Sequence, residues 1–203
     1  MRTLVETATA TEVSSDELRR VAAELREATT ALAKQQRTRH QLASADDLLG
    51  GIRMYNPVSG SGSALAPPLR VELLDGVVTG TCTLGLAFEG PPTYAHGGVS
   101  ALLMDQMLGH AIIAAGHPGL TVSLRTEYRA PVPLRTALHL RAEATEVSGR
   151  KVTAKGFIAT AADPDTALVE ATGLFVALGS EQARKLFGAM VHPDAGNPAV
   201  AHD

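Results

Sequence analysis

Apolar positions along the chain change their spacing twice, and the predicted elements follow those changes. In "SSDELRRVAAELREATTALAKQQ", Leu18, Val21, Ala22, Leu25 and Leu32 recur on or near one stripe with charges opposite, which predicts an amphipathic helix over about 14–36. Ser14 followed by Glu17 has the spacing of a capping box, and Lys34, Arg37 and Arg39 suit a helix C-terminus. Such a helix packs on the main domain or on a partner chain, with a membrane or regulatory role as the alternative. Residues 1–13 are rich in threonine and alanine without a period, so disorder is expected there. "NPVSGSGSALAPP" (56–68) reads as a linker.

Beyond residue 68 the spacing shifts toward strands. "LRVELL" and "VVTGTCTLGLAF" flank Asp75-Gly76, a two-residue hairpin signal. After Pro91-Pro92 an apolar run opening with "HGG" predicts a long helix to about Ala115, stopped by Gly116 and Pro118. Four strand candidates follow at 120–130, 136–147, 150–162 and 166–178, with turns at Ser148-Gly149 and "ADPD" (162–165). A short helical piece at 181–187 and an unstructured tail complete the pattern. The connections are short, so the strands should be antiparallel, with the long helix on a sheet face. The expected division is an N-terminal extension (1–68), a core domain (69–179) and a tail (180–203). The long helix is apolar on nearly every side, so it should be buried, either wrapped by a curved sheet or sandwiched at a subunit contact.

Composition narrows the function. The 203 residues are 45% hydrophobic and 19% charged, as expected of a globular protein. Aromatics are 3% with no tryptophan, so the core must be aliphatic. A formal charge of -3 argues against a nucleic-acid partner. The single Cys82 excludes an internal disulfide and a cysteine metal cluster. No apolar run is expected to reach the roughly 18 residues of a membrane span, and "MRTLVETATATEV" has no signal-like apolar stretch. A cytoplasmic protein is the expectation.

Against that background, "YAHGGVSALLMD" (94–105) stands out. A carboxylate within an apolar helix is costly unless paired, hydrogen-bonded or used. The neighbours of Asp105 along its face, Gly98, Ala101 and Gly109, are small and leave room for a backbone, a water or a substrate. The plain alternative is that Asp105 is exposed or ties down a loop. At the helix entrance the first N–H groups lack intrahelical partners and sit at the positive end of the dipole. Gly97 and Gly98 admit an acceptor without a Cβ in the way, which makes a carbonyl-polarising site. His96 alone is more often a helix cap than a catalyst. Gly97 and Asp105 are eight residues apart, roughly 12 Å along a straight helix. A base must lie within about 3 Å of the water it activates. If both groups serve one site, that site must be shared across a dimer.

HGG, nine residues from His96 to an aspartate, one strand pair before the helix and four strands after it together resemble the hotdog-fold acyl-CoA thioesterases. The branch is that of the phenylacetyl-CoA (PaaI-like) and carboxy-terminal-modulator-like enzymes. "FEGPPTYAHGG", "LTVSLRTEYRAPVPL" and "EVSGRKVTAKGFI" carry the likeness, over about residues 69–178. It implies an α+β fold, with about six antiparallel strands wrapped around one central helix, preceded here by the N-terminal helical extension. It also implies that Asp105 is general base or nucleophile on the thioester. The Gly97 amide, set by His96, polarises the carbonyl, and Thr121 positions the water or the carboxylate. An aliphatic slot of Leu102, Leu108 and Ile112 would take the acyl group beside Gly98. Arg125, Arg129, Arg150 and Lys151 are candidates for the coenzyme A phosphates, although exposed basic residues on strands usually only solubilise. No metal or other cofactor is implied, coenzyme A being part of the substrate. The implied assembly is a dimer, or a dimer of dimers.

One departure stands out: relatives often carry an asparagine about six residues before the histidine, where this chain has Glu89-Gly90-Pro91-Pro92. Two other readings are open. Asp105 and His110 resemble the D-x-x-x-x-H pair of hotdog hydratases, but five residues on a helix is about 140° apart, and the Asn-Pro usual within that motif is missing. A non-catalytic acyl-CoA-binding or protein-interaction module is the other. A metal hydrolase (no HExxH) and a serine hydrolase (no G-x-S-x-G) both lack their motifs.

Overall fold

The computed structural model describes residues 1–39, 41–47, 53–74 and 76–179. In chain order the elements are α1 (Arg2–Ala10), α2 (Ser15–Leu32), β1 (Arg70–Leu74), β2 (Val77–Thr83), a 3-10 turn (Leu86–Phe88), α3 (Gly97–Ala114), β3 (Gly119–Tyr128), β4 (Ala137–Ser148), β5 (Lys151–Thr160) and β6 (Val169–Ala177). The strands make one antiparallel sheet in the order β1-β2-β4-β5-β6-β3. α3 lies across its inner face and touches every strand from β2 to β6. Six strands around one long helix, with helices before them, is the hotdog arrangement expected above. Gly76 (φ 79°) and Gly149 (φ 58°) take the left-handed conformation the hairpin turns need. Asp75, the expected helical piece at 181–187 and the rest of the tail lie outside the described residues.

The scarcity of aromatics has a direct structural use. Where α3 crosses the sheet, the inward positions are small: Gly80, Ala142, Ala154, Gly156, Ala171 and Gly173. A Cβ on Gly80 would stand 2.9 Å from the Met107 sulfur, one on Gly156 2.8 Å from Met104 Cε, and one on Gly173 3.1 Å from Leu108 Cδ1. The glycines are therefore the holes that receive the flexible side chains of α3, with Phe175 the largest fully buried residue beside them. Gly156→Ala should be the more damaging of the simple tests, because its methyl would also meet the Arg141 carbonyl at 2.3 Å. A loss of about 1–3 kcal/mol in urea unfolding is expected. Gly80→Ala meets only side-chain atoms and should cost less.

Three expectations need correction or refinement. Residues 2–10 are helical rather than disordered. The reason is a tertiary contact: the Glu6 carboxylate accepts hydrogen bonds from the Leu86 N–H (3.0 Å) and the Ala87 N–H (3.2 Å). The strand expected over 77–88 stops at Thr83, because those N–H groups turn toward Glu6 while Leu84 enters the core. The stretch 56–68 has the turn composition of a linker but packs down, with Val58 and Ala66 buried. Asn56 holds it there. Its Oδ1 accepts from the N–H groups of Val58 and Ser59, and its Nδ2 donates to Gln106 on α3 at 3.2 Å. α2 starts where expected, with the Ser14 hydroxyl accepting from the Glu17 N–H at 3.3 Å. It ends at Leu32, and Leu18, Leu25 and Leu32 are exposed.

The burial of α3 also differs from expectation. By length and mean hydropathy it could cross a bilayer, a length the apolar run was not expected to reach, but the sheet covers it along one side. Ser100, Leu103, Met104, Met107, Leu108, Ala111 and Ile112 are buried, which is roughly half the helix circumference. Part of the other half is open, whereas Gln106 is held there by Asn56. Leu102 is 39% and Ile113 58% exposed, and a Cβ on Gly109 would meet nothing within 4 Å. Asp105 sits at the boundary between the two sectors and is partly exposed.

Candidate active site

The first turn of α3 is held from several sides. His96 is its N-cap, and its Nδ1 accepts the Gly98 N–H at 3.0 Å. That bond requires the imidazole proton to be on Nε2. The His96 carbonyl accepts the Val99 N–H at 2.9 Å and the Ser100 N–H at 3.4 Å. Gly98 therefore has no free donor to offer. Among the described residues nothing accepts the Gly97 N–H, so it is the one open donor of the turn, at the positive end of an 18-residue helix. Tyr128, at the end of β3, donates its hydroxyl to the Gly97 carbonyl at 3.0 Å. Sequence reasoning used this tyrosine only as a family marker and gave it no role. Its signal is three-dimensional, because β3 returns past the helix start 31 residues later.

The second constellation lies eight residues along the helix. The Thr121 hydroxyl donates to Asp105 Oδ1 at 3.0 Å. This contact depends on a β-bulge. Thr121 pairs with Phe175 and Ser123 with Leu174, so Val122 is the extra residue. Without it, Thr121 would share the outer face of Ser123, Arg125 and Glu127. With it, Thr121 joins Leu124, Thr126 and Tyr128 on the face turned toward α3. A bulge that re-aims one side chain is a recurring device beside reactive groups.

The structure brings His96, Gly97, Gly98 and Tyr128 together, and separately Asp105 with Thr121. Roughly 12 Å of helix lies between the two groups. The remaining candidates fall elsewhere. Leu108 and Ile112 are fully buried core residues, so they cannot line an open slot, whereas Leu102 is at the surface. Arg125 and Arg129 point to the outer face of the sheet. Arg125 pairs with Glu127 at 2.8 Å, and Arg129 pairs with Glu127 and with Glu170 at 2.7 Å. The hydrogen bond that Arg129 donates to Glu170 and the charge of Glu127 hold its guanidinium above its usual range. Arg150 donates to the Ala177 carbonyl at 3.1 Å and Lys151 is exposed at the start of β5.

His110 contacts Gln106 at 3.0 Å rather than Asp105, as the angular separation required, and burial holds its pKa below the ordinary value. Cys82 is buried, which pushes its thiol up to about 12 and leaves it inert as a nucleophile. Where relatives often carry asparagine, Glu89 accepts the Thr93 N–H at 2.9 Å and braces the loop. Among the described residues no three potential metal ligands come together.

Comparison with known proteins identifies the family. The family model described as the thioesterase superfamily matches residues 93–167, which run from just before His96 to the loop after β5. The acyl-coenzyme A thioesterase THEM4 of Mus musculus is 32% identical over 98 residues, 48% of this chain and 42% of that protein. The acyl-coenzyme A thioesterase THEM5 of Homo sapiens is 29% identical over 98 residues, 48% and 39% of the two chains. This chain thus spans less than half the length of those curated relatives. A hypothetical thioesterase from Streptococcus pneumoniae TIGR4, solved with coenzyme A, superposes with a TM-score of 0.51 at 22% identity, over 55% of this chain and 89% of that one, a likeness of fold alone. Another crystal structure, of a thioesterase superfamily protein, aligns with a TM-score of 0.75 at 39% identity, over 86% of this chain and 90% of the other. With most of both chains aligned at that identity, and a matching family model from α3 through β5, the chain belongs to the thioesterase superfamily.

Proposed function

We propose that this protein is an acyl-CoA thioesterase acting as a dimer, with each active site built from Gly97 of one subunit and Asp105 of the other. The observation that carries the proposal is the pairing of one open backbone donor with one hydroxyl-held carboxylate on a single helix, too far apart to reach a common carbonyl. The exposed face between and beside them supports the dimer. Leu102 and Ile113 on α3 are exposed, and β3 is an edge strand of the sheet on which Val122 is 59% exposed. An open edge strand is a template for pairing with a second copy, and a two-fold contact there places like elements opposite each other.

In this reading the thioester oxygen lies on the Gly97 N–H, where the helix dipole favours the negative charge that develops. Asp105 takes a proton from water, and the water oxygen bonds to the carbonyl carbon. When the tetrahedral species collapses, the C–S bond breaks and the sulfur leaves as coenzyme A thiolate, which takes the proton held by Asp105 to become the thiol and restores the carboxylate. The acyl group departs as a carboxylic acid. A direct attack by Asp105 on the carbonyl, followed by hydrolysis of the anhydride, uses the same geometry. Thr121 holds the carboxylate in place in either case. The Streptococcus pneumoniae protein has also been solved as alanine variants of an aspartate and of a threonine sixteen positions later, the separation of Asp105 and Thr121 here. The test is thiol release from a panel of short, aryl and long acyl-CoAs, with sedimentation of the same sample. Turnover of at least one class by a dimeric or tetrameric species is expected. Binding of coenzyme A without turnover of any class would favour the non-catalytic module instead.

A further inference from the structure

We infer that Tyr128 is a positioning residue that aims the carbonyl-binding donor of the site, an inference that rests on the function proposed above. The peptide unit between Gly97 and Gly98 is gripped at both ends. Tyr128 donates to its carbonyl oxygen at 3.0 Å, and His96 Nδ1 accepts its N–H at 3.0 Å. The preceding peptide unit, which carries the Gly97 N–H, is held at its own carbonyl by the Val99 and Ser100 N–H groups. Two glycines in sequence would otherwise let these planes swivel, since glycine has the widest backbone freedom. The bonds of Tyr128 and His96 remove that freedom, and the Gly97 N–H is left pointing in one direction with no acceptor among the described residues.

Packing points the same way. A Cβ on Gly97 would stand 3.3 to 3.5 Å from three atoms of the phenol ring, Cε1, Cζ and Oη. The ring therefore lies against the Gly97 backbone as a wall, while the hydroxyl supplies the hydrogen bond. Tyr128 itself is 55% exposed and no core residue. It shares the inward face of Leu124 and Thr126, and the bulge at Val122 brings Thr121 onto that same face. The two half-sites of the chain thus share one strand.

Tyr128→Phe removes the hydroxyl and keeps the wall. The expected result is a fall of about tenfold in kcat, the effect of losing one orienting hydrogen bond, with KM for the acyl-CoA within about twofold. The unfolding midpoint should stay near that of the wild type, because the ring is half-exposed and its packing is retained. A purely structural role would instead show as a lower midpoint with kcat kept. Tyr128→Leu, which removes ring and hydroxyl together, should be slower than the Phe variant. Asp105→Asn is assayed in parallel. If Asp105→Asn is inactive and Tyr128→Phe turns over within twofold of wild type, the positioning role is overturned and the proposed function stands. If the wild type itself turns over no acyl-CoA, the proposed function fails and the role of Tyr128 fails with it.

Discussion

Asp105→Asn should lower thiol release by about 10³-fold, in the range typical of losing a positioned base or nucleophile. The substitution changes little else. The amide oxygen can still accept the Thr121 hydroxyl now bonded at 3.0 Å, and the side chain keeps its size. Asp105 is partly exposed at the boundary of the buried sector of α3, so the fold loses little with its charge, on the order of 0.5 kcal/mol or less. The variant should therefore bind acyl-CoA normally, unfold at the wild-type midpoint and release almost no thiol. Isothermal titration with a slowly hydrolysed acyl-CoA, alongside the thiol assay, separates the two properties. An active Asp105→Asn protein would remove the carboxylate from the mechanism.

The second large effect concerns a backbone atom. Gly97 is the first residue of α3, and proline is well tolerated at that position because its missing N–H has no intrahelical partner. His96, with φ −62° and ψ 134°, already has the extended conformation that a following proline requires. Gly97→Pro thus removes the one open donor of the turn and keeps the helix. The contact of the new ring with Tyr128 is tight, but the tyrosine is half-exposed and can lean away. Loss of one polarising donor should lower kcat by about 10²- to 10³-fold. Gly97→Ala, which keeps the N–H, should retain far more activity. Equal losses in both variants, read in the same assay, would show that the glycine matters for space and not for its donor.

How much of this was legible beforehand depends on the range of the interactions. The hairpin glycines, the cap of α2 at Ser14 and the ends of α3 are local matters, and their residues announce them. The strand candidates at 136–147 and 150–162, with the turn at Ser148-Gly149 between them, fall within a few residues of β4 and β5, because a tight turn is also a local signal. What failed was non-local. No period in residues 1–13 marks the Glu6 carboxylate that anchors α1 to a turn 80 residues away. Nor does any motif show that Val122 is an extra residue, and yet that bulge decides which way Thr121 points. The helical wheel placed Leu108 and Ile112 beside Asp105, but a wheel does not say which sector the sheet covers, and both are core. The eight-residue spacing on α3 was informative for the opposite reason: a rigid helix converts a count along the chain into a distance.

The most direct measurement mixes two inactive proteins. Asp105→Asn retains the Gly97 donor, and Gly97→Pro retains the Asp105 carboxylate. Equal amounts exchanged to a random assortment place half of the dimers as hybrids, each with one intact site and one doubly defective site, which is about a quarter of the wild-type activity per subunit. Native mass spectrometry of the same mixture reports the hybrid directly. Recovery to about a quarter, tracking the hybrid fraction, is the expected result of a site shared between subunits. A mixture rich in hybrid that remains as inactive as its parents would contradict it.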